Sequence, residues 1–81
     1  MSKNIRGGNE KEKVILFVYL QNYLFNDFEE LTNVELTSII GDLTQQTINK
    51  YTQELEKKGY LVKIKQRPLT YALSEKITEK I

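Results

Sequence analysis

The chain has no cysteine, no histidine and no tryptophan, and only one proline and one methionine among its 81 residues. The missing cysteines exclude disulfide staples and a thiol nucleophile. With histidine missing as well, zinc sites of the Cys/His kind and imidazole acid–base chemistry are excluded too. A chain without thiols is at ease in any redox compartment, so this composition says nothing about location. Long apolar runs are also lacking. Val14 to Leu20 is too short to cross a bilayer and is flanked by charged and amide residues. No small-residue cleavage site follows it, so it does not read as a secretory signal. A cytoplasmic protein without a membrane partner is the expectation.

A chain of this length makes one small domain, near the lower limit for a self-sufficient core. Lacking disulfides, it must find stability in tight packing or in a second copy of itself. Residues 1–9, with Gly7-Gly8 and the cations Lys3 and Arg6, read as a flexible N-terminal arm. Residues 10–81 read as the domain, with no internal repeat and no linker.

The net charge is only +1, but the charges are unevenly placed. Between Glu10 and Asp42, the acids Glu10, Glu12, Asp27, Glu29, Glu30, Glu35 and Asp42 outnumber Lys11 and Lys13. From Thr44 to Pro68 the balance reverses, with Lys50, Lys57, Lys58, Lys63, Lys65 and Arg67 against Glu54 and Glu56. Such asymmetry orients a small protein toward a polyanion.

The stretch from Leu43 to Leu61 organises the rest. Thr44 is a good helix N-cap, because its hydroxyl can accept from an unpaired amide of the first turn. Ile48, Tyr51 (or Thr52) and Leu55 recur at helical spacing as a narrow apolar stripe. Lys57 and Lys58 suit the negative end of the helix dipole, and Gly59 can take the left-handed conformation that closes the helix. The other face carries Gln45, Gln46, Asn49 and Lys50, amides and a cation able to read base edges and hold a phosphate. This segment reads as a DNA recognition helix over 44–58.

Upstream, Glu10 to Phe25 reads as a first helix with Val14, Leu16, Phe17, Leu20 and Leu24 covering one broad side. Ile15, Val18, Tyr19, Tyr23 and Phe25 extend the apolar surface beyond a single stripe, which marks a helix buried from more than one side. These five residues are the expected homodimer interface. Asn26-Asp27 breaks the pattern, and Phe28 to Thr32 leads into a second helix capped by Asn33 (or Thr32). Its body is Val34 to Ile40, with Leu36, Ile39 and Ile40 inward, and it ends at Gly41-Asp42.

Downstream, residues 60–65 alternate apolar and basic, as a half-buried strand does, with Leu61 (or Tyr60), Val62 and Ile64 inward and Lys63 and Lys65 outward. Gln66-Arg67-Pro68 is a turn, and Leu69 to Leu73 returns with Tyr71 and Leu73 on the core side. Ser74 begins a last short helix, capped by its own hydroxyl. Its Ile77 and Ile81 form an edge expected to dock on the first helix, in the same molecule or in its partner. The fold class is therefore α+β: a winged helix-turn-helix of three helices, a C-terminal two-stranded hairpin wing over 60–73 and a short last helix.

Leu36, Ile40-Gly41, Thr44 to Lys50, Leu55 to Leu61 and Tyr71 to Ser74 resemble the winged helix-turn-helix regulators of bacteria and archaea, in the grouping that includes the MarR-like and ArsR-like repressors. The likeness covers nearly the whole chain. In size and cysteine-free composition the chain also resembles the minimal winged-helix proteins of archaeal plasmids and viruses. Two departures stand out: Asp42 lengthens the turn by one residue, and the extra helices and metal-ligand clusters of effector-sensing relatives are missing. The resemblance implies base or phosphate contacts from Thr44, Gln45, Gln46, Thr47, Asn49 and Lys50, and wing contacts from Lys63, Lys65, Gln66 and Arg67.

The expected function is sequence-specific transcriptional regulation on double-stranded DNA by a homodimer, with no cofactor or metal. The competing reading is a winged-helix module for protein–protein assembly that binds through the aromatics of the first helix and does not read DNA. An enzyme is not expected. Glu29-Glu30 are sequence neighbours that do not face one pocket, and Gly7-Gly8 is no phosphate loop.

Overall fold

A computed structural model describes residues 9–26 and 30–80. The expected N-terminal arm lies outside the described residues except for Asn9, which opens the first helix. The break at Asp27 and the lead-in through Phe28 lie outside them as well. The element order is α1 (Asn9–Phe25), β1 (Glu30–Thr32), α2 (Asn33–Ile40), α3 (Gln45–Lys57), β2 (Leu61–Lys65), β3 (Thr70–Leu73) and α4 (Glu75–Thr78). The helices pack around one end of a three-stranded antiparallel sheet of order β1-β3-β2. This is a small α+β domain of winged-helix-like architecture.

Local chemistry explains most boundaries. Thr32 caps α2 in a full capping box. Its hydroxyl accepts from the Glu35 amide at 3.0 Å, and the Glu35 carboxylate accepts from the Thr32 amide at 2.9 Å. Of the two expected caps, Thr32 is the one used. Gly41, at φ 79°, ends α2, and its amide donates to Thr37 O. Thr44 caps α3 by accepting from the Thr47 amide at 3.2 Å. Gly59, at φ 85°, turns the chain from α3 into β2.

The strand β1 was not expected, and it makes the sheet three-stranded rather than a two-stranded hairpin. Leu31 lies opposite Tyr71, and Glu30 opposite Ala72. Three residues pairing with a segment 40 positions away carry no local signal. The hairpin itself is present, with Leu61 opposite Leu73, Lys63 opposite Tyr71, and a register shift between Lys63 and Lys65.

The core is Ile15, Val18, Tyr19, Leu31, Leu36, Ile48, Leu55, Leu61 and Tyr71. This corrects the assignment of faces on α1. Ile15, Val18 and Tyr19, expected at a dimer interface, are buried within the protomer. Val14, Phe17 and Leu24 face solvent instead, Tyr23 is half-buried, and Phe25 is 79% exposed. Apolar residues are spread so evenly around α1 that periodicity cannot choose a face. Tertiary partners choose it: the Tyr19 hydroxyl donates to Leu31 O at 3.2 Å, which only the inward face can reach.

Further corrections follow the same logic. Ile39 is 54% exposed, because the inward positions of α2 are Asn33, Leu36 and Ile40 at i, i+3 and i+7. Val62 and Ile64 are 44% and 43% exposed, because one strand parity alone faces the core and Leu61 holds it. The Ser74 hydroxyl does not cap α4. It donates to Gly59 O at 2.7 Å and ties the end of α3 to the end of the sheet. Ile77 is half-buried, Ile81 lies outside the described residues, and α4 makes no extensive packing on α1.

Burial raises the Tyr19 phenol well above the ordinary tyrosine value, and the nearby Tyr71 and Glu35 add to this. Tyr71 is raised too, by burial and then by Glu56, whose carboxylate accepts from its hydroxyl at 3.2 Å. A phenol whose folded pKa exceeds its unfolded value contributes stability that is complete below the unfolded pKa, about 10, and is lost as pH rises beyond it. Urea midpoints are therefore expected to fall above that pH. Tyr19→Phe should make the fall shallower while costing about 0.5–1.5 kcal/mol at neutral pH for the lost hydrogen bond. An equally steep fall in Tyr19→Phe would show that Tyr19 is not the group responsible.

Candidate nucleic-acid interface

The buried edge of α3 is Ile48, Thr52 and Leu55, with Tyr51 half-buried beside it. Both residues left open at the second stripe position thus face inward, and Thr52 is the fully buried one. On the opposite side, Gln46, Lys50, Gln53 and Lys57 recur at i, i+4, i+7 and i+11, and all are exposed. They form one continuous polar stripe along the helix, the width a duplex groove would meet. Gln53 was absent from the expected contacts, although the same periodicity that sets the core stripe places it one turn beyond Gln46 and Lys50.

The remaining expected residues of α3 are not equivalent. Gln45 is exposed at the helix start. The exposed Thr44 and the half-buried Thr47 are joined by a 3.0 Å bond between their hydroxyls, so both have local roles. Asn49 is half-buried, and its Oδ1 accepts from Asn33 Nδ2 at 2.8 Å. Lys50 Nζ lies 5.5 Å from the centre of the Tyr51 ring, which steadies the cation without neutralising it.

On the wing, Lys63, Lys65, Gln66 and Arg67 are all exposed. Lys63 has the same strand parity as the buried Leu61 and pairs with the buried Tyr71, so it stands on the sheet face that carries α3. Its ammonium donates to Gln66 Oε1 at 3.2 Å. The first strand of the wing thus begins under α3 and emerges beside it.

Pairing sorts the cations. Among the described residues, salt bridges join Lys57 to Glu54 at 3.7 Å and Lys58 to Glu12 at 2.7 Å. The second pins the end of α3 to α1, and this bond to Glu12 raises the Lys58 pKa. Lys50, Lys63, Lys65 and Arg67 are in neither salt bridge, which leaves four cations on α3 and the wing available for an external anion.

Sequence reasoning also missed Asn33. It takes an inward position of α2 that would otherwise be apolar, and it is 1% exposed. The sequence signal was an α2 stripe whose first member is an amide. Among the described residues, no group of acidic side chains is arranged to hold a metal ion, and no helix is long and apolar enough to cross a membrane. Comparison of the chain with protein-family models, with curated proteins and with solved structures finds no match.

Proposed function

We propose that this domain is a sequence-specific, double-stranded DNA-binding transcriptional regulator, with α3 in the major groove and the β2–β3 wing against the adjacent backbone or minor groove. One observation carries the reading: a stripe of exposed amides and lysines on α3 stands beside wing cations that hold no carboxylate. Amides and cations on a helix supply base contacts, and free cations beside it supply phosphate contacts. The resemblance to winged helix-turn-helix regulators supports the same assignment. No reaction is assigned to the domain.

The reading includes a homodimer, but through a different face of α1 from the one expected. Val14, Phe17 and Leu24 are exposed at i, i+3 and i+10, with the exposed Phe25 beside Leu24. A symmetric pairing there would set two recognition helices about 34 Å apart, one turn of duplex. Phe17→Glu is expected to yield a monomer in sedimentation equilibrium with an unchanged circular dichroism spectrum. An unchanged dimer would move the interface elsewhere.

Selection from a random duplex pool at two salt concentrations tests the function. Enrichment of an inverted repeat that weakens steeply with salt is the expected result. Gln46→Ala is expected to relax sequence preference, whereas Lys65→Ala should flatten the salt dependence and leave preference intact. Tight binding without an enriched sequence would indicate an architectural role. No binding at low salt would favour the assembly module. That second reading draws on the open groove of about 620 Å³ over the outer sheet face, lined by Tyr23, Val62, Ile64 and Ala72.

A further inference from the structure

The two ends of the Asn49 side chain sit in different surroundings. Its Oδ1 accepts from Asn33 Nδ2 at 2.8 Å, and the same nitrogen donates its second proton to Thr52 Oγ1 at 3.0 Å. Thr52 is fully buried and has one hydroxyl proton, which goes to the backbone of its own helix: Ile48 O at 2.9 Å, with Asn49 O at 3.1 Å. Direction then propagates along the chain of bonds. With its proton committed, Thr52 Oγ1 must accept, so the atom of Asn33 that meets it must be the amide nitrogen. That nitrogen also faces Asn49, whose inward atom must then be the oxygen.

The reverse polarity is worse by a count of unmet groups. It would bury both N–H bonds of Asn33 with no acceptor. The observed polarity leaves a single unpartnered buried atom, Asn33 Oδ1. Asn49 Nδ2 is not among the buried unpartnered atoms and reaches solvent on the flank of α3, on the side of Gln45 and Gln53.

We propose that Asn33 and Thr52 act as positioning residues that make Asn49 a donor-only reader of DNA, an inference that rests on the DNA-binding reading above. An asparagine free at both ends reads adenine by accepting from N6 while donating to N7. Asn49 has its oxygen held inward and offers the groove an N–H pair. Its matching base edges are acceptors: guanine N7 and O6 first, thymine O4 next. Cytosine, which presents an amino group at that position, is rejected.

Two measurements test this. The first is proton exchange of the side-chain amides in the free protein by NMR. The Asn33 amide protons are expected to exchange slowly and those of Asn49 rapidly. Slow exchange at Asn49 with fast exchange at Asn33 would overturn the relay whatever the protein binds. The second is duplex selection with the wild type, Asn49→Ala, Asn33→Asp and Thr52→Val. The position whose preference disappears in Asn49→Ala should carry guanine or thymine in the wild-type pool.

Asn33→Asp can only accept from Asn49, so it should turn the Asn49 carbonyl outward and shift that position to adenine or cytosine by about tenfold in enrichment. Since a buried carboxylate can prevent folding, Thr52→Val is the second probe. It removes the group that sets direction, and it should broaden preference at that position alone. A wild-type preference for cytosine would overturn the proposal. So would an adenine whose replacement by purine loses affinity, or an Asn49→Ala pool identical to the wild type. Absence of DNA binding would overturn the function rather than the relay, which the exchange measurement judges separately.

Discussion

Replacing Lys63, Lys65 and Arg67 together with alanine is expected to lower affinity for duplex DNA on the order of a thousandfold. The estimate takes about tenfold for each charge-assisted phosphate contact, near the low end of what such bonds contribute. All three side chains are exposed and in neither of the two salt bridges, so no intramolecular partner is lost and the fold should be intact. Each phosphate contact also displaces a counterion. The plot of log affinity against log salt should therefore become shallower by about 0.9 per contact, or about 2.7 for the triple variant. Sequence preference should survive, because these residues are placed for the backbone and not for base edges. Salt titration of binding, read against the circular dichroism spectrum, checks all of this. A slope that does not change would remove the wing from the interface and leave α3 as the whole of it.

Ile48→Ala is expected to destabilise the fold by about 2–5 kcal/mol, the range for deleting most of a large aliphatic side chain from a packed core. Ile48 is completely buried on the inner edge of α3, level with Thr52 one turn on. A domain of 81 residues commands only about 4–12 kcal/mol in total at typical stability per residue. One substitution can thus bring the protein close to unfolding at ambient temperature. The urea midpoint should fall sharply, with the slope of the transition unchanged. Gln53→Ala, on the exposed face of the same helix, should stay within about 0.5 kcal/mol of the wild type. Equal effects of the two substitutions would mean that α3 is not anchored as described.

The legibility of this protein divides along the range of the interactions concerned. The two functional faces of α3 were readable because they follow from one local rule, a period of 3.6 residues between a threonine cap and a glycine at positive φ. The same local chemistry marked the end of α2 at Gly41 and the course of the wing hairpin. Charge clustering, which needs no fold at all, pointed to the basic half.

Only the tertiary structure decided three other matters. The first is which face of α1 is buried, because apolar residues nearly surround that helix and its orientation is chosen by Leu31 O, the acceptor for Tyr19. The second is the strand β1, whose pairing with Thr70 to Ala72 spans far more chain than any local pattern covers. The third is the division of the polar residues of α3 into free readers and held ones. Gln46, Lys50 and Gln53 stand clear, whereas the oxygen of Asn49 is bound to a buried amide from another helix, 16 positions away. The sequence by itself determined which residue types line the recognition helix, because that depends on turns of a single helix. Which atoms those residues present to a partner depends on packing between helices, which a local pattern does not record.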